Sequence, residues 1–186
     1  MKLKIVNAAK IRNTIDTDFH GVGSHGDYPY IPLDELWIDS FLKNEKDLFL
    51  KLWKLERSMR GKSFRMIREK AKKTFTLPKK VKIVVTKSVK KGELTIRYVN
   101  GASVRAALDP YFLLAGHHLV YSSIPKKEIW IDANIDPKEW KYWLIHALHE
   151  RERMMQGMTH DDAHDFALAA QRMTRRKDGV AEFLRG

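Results

Sequence analysis

The sequence predicts an α+β fold of two homologous halves, each a short strand segment followed by a helical hairpin. Three observations carry that prediction. "VNAAKIRNTIDTDFHGVGSHGDYPYIPLDELWID" from Val6 aligns without a gap with "VNGASVRAALDPYFLLAGHHLVYSSIPKKEIWID" from Val99, at an offset of 93 in a chain of 186 residues. Over Leu3–Asp39 and Ile96–Asp132, 15 of 37 positions are identical; unrelated segments would share about two or three, so the chain reads as a duplication. The second observation is "EIWID" (Glu128–Asp132), whose period-two alternation reads as a strand. The third is the helix punctuation that follows that strand.

The halves are assigned as 1–93 and 94–186. Residues shared between them include Arg12/Arg105, Asp16/Asp109, Phe19/Phe112, Gly23/Gly116, His25/His118 and Trp37/Trp130. Past Asp39 the register shifts by three, and "ERSMRG" from Glu56 loosely matches "ERMMQG" from Glu152. Both halves are therefore expected to run through an extended segment, a short strand, a helix ending at glycine and a further helix. In the second half, Asp136 is the expected N-cap, Pro137 fits the first helical position and Glu139 completes a capping box. Gly157 is placed to end that helix. Thr159 and Asp162 begin another, whose expected apolar face is Ala163, Phe166, Ala167, Ala170 and Met173.

The remaining composition sets bounds. A chain of this length can bury a sizeable core. No run approaches a membrane span, and the N-terminus lacks the basic-then-apolar order of a signal peptide, so a cytoplasmic location and no membrane partner are expected. With no cysteine, a metal would have to be held by histidine and carboxylate. The net charge is +12, yet Lys43–Lys91 holds 18 Lys and Arg against four acids, so the rest of the chain sums to −2. That segment reads either as a solvated helix face or as a surface for nucleic acid, with Lys51, Lys54, Arg57, Arg65, Arg68, Lys72, Lys79, Lys80 and Lys82 as the candidate contacts. Trp53, Phe64 and Phe75 lie among these charges and would either stack on bases or, by their helical spacing, fill the core.

The second half carries a different chemistry. On a helix, Trp140, Trp143, Leu144, Ala147 and Leu148 form an apolar arc, and Glu150 lies about 40° from His146 at its border. The i,i+4 pair His146 and Glu150 can reach one ion. His149 lies about 60° to the other side of His146, as an alternative ligand. A three-residue turn folds the next helix back, so that His164 can converge on the same edge. His/Glu/His is a zinc-type donor set, although two histidines at this spacing also occur without a metal. The first half has Leu50, Trp53, Lys54 and Arg68 at the positions of His146, His149, Glu150 and His164. It keeps both Asp16 and Asp18, which could hold a cation or stabilise a turn. His25 and His118 read as sharing one structural hydrogen bond.

The stretch "IPKKEIWID…LIHALHERERMMQG-THDDAHDFA" resembles a group of zincin-like metallopeptidases from phages and prokaryotes. The pattern of that group runs I-P-x-x-E-I-W-I-D, H-E-L-x-E, then G-x-x-Y-D-x-A-H. The likeness covers Arg105 to about Gln171, with a degenerate copy over Arg12 to Lys70. It implies a minimal zincin-like core, Zn2+ held by His146, Glu150 and His164, and a peptide or protein substrate. Two departures stand out. Ala147 replaces the glutamate that serves as general base, and His160 replaces the tyrosine. Glu150 or His149 would then have to act as the catalytic base, or the site would be inactive. The alternative reading is a nucleic-acid-binding protein of phage or mobile-element type, its metal structural or absent. A third is an interaction protein in which Trp37 and Trp130 pack the halves together.

Overall fold

The computed structural model describes residues 1–76 and 82–181, so Lys79 and Lys80 lie outside the described residues. Among the described residues the fold is α+β, with two small sheets and six α-helices. In the first half, β1 (Lys2–Val6) pairs in parallel with β3 (Glu35–Asp39), and β2 (Val22–Ser24) pairs antiparallel with β3. Helix α1 (Ala8–Thr14) follows β1. A 3-10 turn (Ser40–Glu45) then leads into α2 (Lys46–Ser58) and α3 (Phe64–Phe75).

The same order recurs in the second half. β5 (Leu94–Val99) pairs in parallel with β7 (Glu128–Asp132), β6 (Ala115–His117) pairs antiparallel with β7, and α4 (Gly101–Ala107) follows β5. Helices α5 (Pro137–Met155) and α6 (His160–Lys177) complete the hairpin. One strand is additional: β4 (Val85–Lys91) pairs with β5, and every residue of it is exposed. Its lysines suit an open edge, where charge discourages pairing with another chain.

The central strands β3 and β7 are covered on both faces. Hairpin α2/α3 packs Phe49, Leu52 and Ala71 on Leu36 and Ile38. Hairpin α5/α6 packs Trp143 and Ala147 on Ile129 and Ile131. The opposite faces are closed by Ile11, Phe19 and Trp37 in one half and by Val104, Phe112 and Trp130 in the other. The two tryptophans thus belong to separate outer cores, and do not join the halves. Leu113 and Phe41, which touch both inner cores, do. Trp53 and Phe75 pack against the first inner core. Phe64 is exposed and sets its edge on Tyr111.

The expected extended segments contain short helices, α1 and α4. Asn7 and Asn100 cap them, their side chains accepting from Lys10 N and Ser103 N. Asp136 caps α5 and Gly157 follows its end at φ +94°. Glu139 does not close a capping box, because buried arginines take its carboxylate. The expected apolar face of α6 is also rotated. Ala163, Ala167, Leu168 and Gln171 are buried, whereas Phe166 and Met173 are exposed. Small residues on the inner face let α6 approach α5 closely, and Phe166 instead lies under the Arg153 guanidinium.

The repeated residues have repeated jobs. Trp37 and Trp130 each donate to the glutamate two positions earlier, at 2.6 and 2.7 Å. The rings of Tyr28 and Tyr121 press against Gly23 and Gly116, where a Cβ would come within 2.3 and 2.4 Å of the ring. Replacing Gly116 by Ala should therefore displace Tyr121 and cost about 1–3 kcal/mol, as overpacking does. Urea unfolding measures it, and an unchanged midpoint would contradict that packing.

The halves are braced across their interface by ion pairs. Arg12 donates to Phe19 O at 2.9 Å and to Glu139 Oε2 at 2.7 Å. Arg175 binds Glu139 in a fork at 2.9 and 2.8 Å. Correspondingly, Arg105 donates to Phe112 O at 3.0 Å, to Asp132 at 2.9 Å and to Glu45. No helix among the described residues is long and apolar enough to cross a membrane.

Candidate metal centre

His146, Glu150 and His164 offer donor atoms within 4.8 Å of one another. The first two lie one helical turn apart on α5, and His164 enters from α6. Both His146 and Glu150 are buried. They line a cleft of about 670 Å³ together with His20, Trp143, Leu119, Tyr121 and, on the far side, Arg65 and Arg68.

The carboxylate of Glu150 is ringed by histidines. His117 Nε2 lies 2.9 Å from Oε2, while His160 Nε2 and His146 Nε2 lie 3.4 and 3.7 Å from Oε1. The last two exceed an ordinary hydrogen bond of about 2.7–3.2 Å. They approach the edge of a zinc tetrahedron, which is about 3.4 Å for bonds of about 2.0–2.1 Å. Neighbouring groups orient the donors from behind. Gln171 Oε1 lies 3.2 Å from His146 Nδ1; as the acceptor there it places the proton on Nδ1 and leaves the Nε2 lone pair facing the cleft. His117, fully buried on β6, holds the outer oxygen of Glu150.

Protonation follows from these surroundings. Burial by itself would raise the Glu150 carboxyl, but contacts with His117, His146 and His160 outweigh it and hold the group below the usual carboxylate range. Burial, reinforced by the charge of His146, lowers His164. Burial with His164, His146 and Arg12 nearby lowers His20 to about 3. Burial and the charge of Asp16 raise Asp18 to about 6. The lowered imidazoles of His20 and His164, beside the ionised Glu150 carboxylate, keep lone pairs open to a cation, whereas Glu150 raises His160.

The metal-free protein should accordingly lose stability on acidification. Below pH 6.5 an unfolded histidine takes a proton that folded His20 and His164 refuse, so both terms fall with pH. Asp18 acts oppositely between about 6 and 3.8, because its folded form binds the proton first. His160, which Glu150 raises, opposes the loss together with Asp18, whereas His118 and the low Glu150 carboxyl act with the two rings. The large lowering of His20 leaves a downward slope. A urea midpoint at pH 5 equal to or above that at pH 7, in chelator, would contradict this.

Several expected residues fall elsewhere. His149 does not line the cleft and makes no ion pair or hydrogen bond among the described residues. It is 100° around α5 from Glu150 and is not among the donors that converge in the cleft. Arg68 and Lys72 are drawn onto the buried Asp109, at 2.6 and 3.2 Å, which takes them out of the basic surface. Lys51, Lys54, Arg57, Arg65 and Lys82 are exposed, with Arg57 resting on Trp53. His25 Nδ1 lies 2.8 Å from Ile31 O, whereas His118 Nδ1 has no such partner, so the two histidines do not share one bond.

Other residues reach the centre without having been expected there: His20, His117, His160, Gln171 and Asp18. The sequence held one signal for them, since Asp18 and His20 are donors where the second half has Tyr111 and Leu113. Compared with known proteins, the chain matches no protein-family model, no curated protein and no solved structure.

Proposed function

We propose that the protein is a zincin-like metalloprotein holding Zn2+ through His146, Glu150 and His164, at the floor of a cleft fit for a peptide or protein segment. The convergence of these three donors within 4.8 Å, two of them buried, carries the reading. Zinc held there would supply Lewis-acid polarisation of a peptide carbonyl. Gln171 and His117 fix the orientations of His146 and Glu150. Leu119, Val120 and Tyr121 provide an apolar wall against which a substrate chain excludes water. Ala147, buried beneath the cleft, offers no proton acceptor. The chain is therefore a peptidase of low activity or an inactive binding form.

Metal analysis of the native protein, paired with a peptidase assay on an unfolded substrate, tests this. Near-stoichiometric zinc is expected. Hydrolysis should be weak or undetectable in the wild type and rise about 10²–10⁴-fold in Ala147→Glu, the usual worth of a positioned base. Absence of bound zinc after zinc is supplied would overturn the metal reading. Zinc without hydrolysis in either form would overturn only the peptidase reading.

The exposed basic strip Lys51, Lys54 and Arg57 along α2, with Lys87, Lys90 and Lys91 on β4, supports a second reading. It is nucleic-acid binding through phosphate contacts, which would weaken steeply with salt.

A further inference from the structure

We infer that the metal centre spans both halves, with Asp18 and His20 of the first half acting as metal ligands beside His164 of the second. This rests on the metal reading above and extends it to a part of the chain outside the α5/α6 hairpin. Asp18, His20 and His164 form a second group of donors within 4.8 Å of one another. The Asp18 Oδ1 atom is buried and accepts no hydrogen bond. His20 Nε2 and His164 Nε2 stand 3.2 and 3.5 Å from it. A buried carboxylate oxygen left without a donor is costly, and two imidazole nitrogens at tetrahedral-edge distance leave it facing a place where a divalent ion fits.

The loop is held as a ligand loop would be. Arg12 Nη1 donates to Phe19 O at 2.9 Å, Tyr28 OH donates to Asp18 O at 3.1 Å, and His20 N donates to Tyr28 OH at 3.2 Å. Asp18 N donates to Asp16 Oδ1 at 2.9 Å, so Asp16 fixes the turn and leaves the Asp18 side chain for the centre. Such backbone clamping presents the two donors with little freedom to lose on binding.

The distribution of donors across the repeat points the same way. Each half sets this loop against the other half's hairpin. Asp18 and His20 meet the hairpin that carries His146, Glu150 and His164. The corresponding loop positions, Tyr111 and Leu113, meet the hairpin that carries Leu50, Lys54 and Arg68 instead. Arg68, which lines the cleft that holds His146, places its guanidinium 2.6 Å from Asp109, so on that side a side chain supplies the positive charge. Asp18 and His20 meet a hairpin that carries donors at the three matching positions, whereas Tyr111 and Leu113 meet one that carries Leu50, Lys54 and Arg68 there.

Titration of metal-free full-length protein with Zn2+, and with Co2+ followed by visible absorption, tests the inference. His20→Ala and the near-isosteric Asp18→Asn should each weaken binding about tenfold or more and shift the cobalt bands. His149→Ala should do neither. Unfolding curves show that each variant is folded before it is titrated. Binding that is lost in His146→Ala but keeps its affinity and spectrum in both loop variants would overturn the two-half centre and leave the metal site intact. A wild-type protein that binds neither ion would overturn both readings.

Discussion

Replacing His146 by Ala is expected to lower zinc affinity about 100-fold or more, beyond the roughly 10–100-fold that loss of an orienting partner costs. Three features make this residue critical. It is buried at the head of the cleft, its Nδ1 is occupied by Gln171, and its Nε2 lies 3.7 Å from Glu150. Removing the ring takes away a donor that water cannot replace with the same orientation. Gln171→Ala gives the graded comparison: the ligand stays, but its tautomer and tilt are no longer fixed, so the milder loss is expected. Competition with a chromophoric chelator measures both. Equal affinities for wild type and His146→Ala would remove this histidine from the ligand set. A larger effect from Gln171 than from His146 would mean that the contact between them matters for the fold and not for the ion.

Glu139→Ala is expected to destabilise the fold by about 3–5 kcal/mol, the usual result of stripping a partner from a buried ion network. That is a large fraction of a typical stability of about 5–15 kcal/mol. Glu139 receives Arg12 from the first half and Arg175 from α6, and the two arginines are 1% and 0% exposed. Truncation leaves two guanidinium groups in a site with little water. Burial already lowers Arg12, partly offset by the carboxylates of Glu139 and Asp39. Urea denaturation compares the variant with Arg57→Ala, whose side chain is on the surface and should change stability within about 0.5 kcal/mol. A loss under about 1 kcal/mol at Glu139 would show that this network adds little to what the Arg105–Glu45 pair and apolar contact already hold. Because Arg12 also binds Phe19 O beside the Asp18–His20 loop, the same variant should weaken metal binding if the centre spans both halves.

Local order was legible in the sequence where one stretch of chain decides it. The 93-residue repeat is visible as identity, and β7, the Asp136 and Thr159 caps and the glycine after α5 follow from alternation, short polar side chains and a positive φ. The placing of His146 and Glu150 on one helix edge needs only the 3.6-residue period. His164 needs only a short turn. These are interactions between near neighbours, whose geometry the backbone period sets in advance.

Contacts between the halves decided the remainder. Glu139 suits a capping box by its position, yet two arginines, one of them 127 residues away in sequence, hold its carboxylate. Arg68 and Lys72 look like free positive charges until Asp109 is folded against them. Arg12 and Arg105 were visible as repeated residues, but their roles as interface braces were not. Asp18 and His20 became neighbours of His164 only when the first half's loop met the second half's hairpin. Sequence by itself determined the repeat, the helix ends and the donors of α5 and α6, because each depends on residues a few positions apart. Which charges are neutralised, and which donors share one cleft, was left to tertiary structure, because burial and distance between remote segments exist only once the halves have packed.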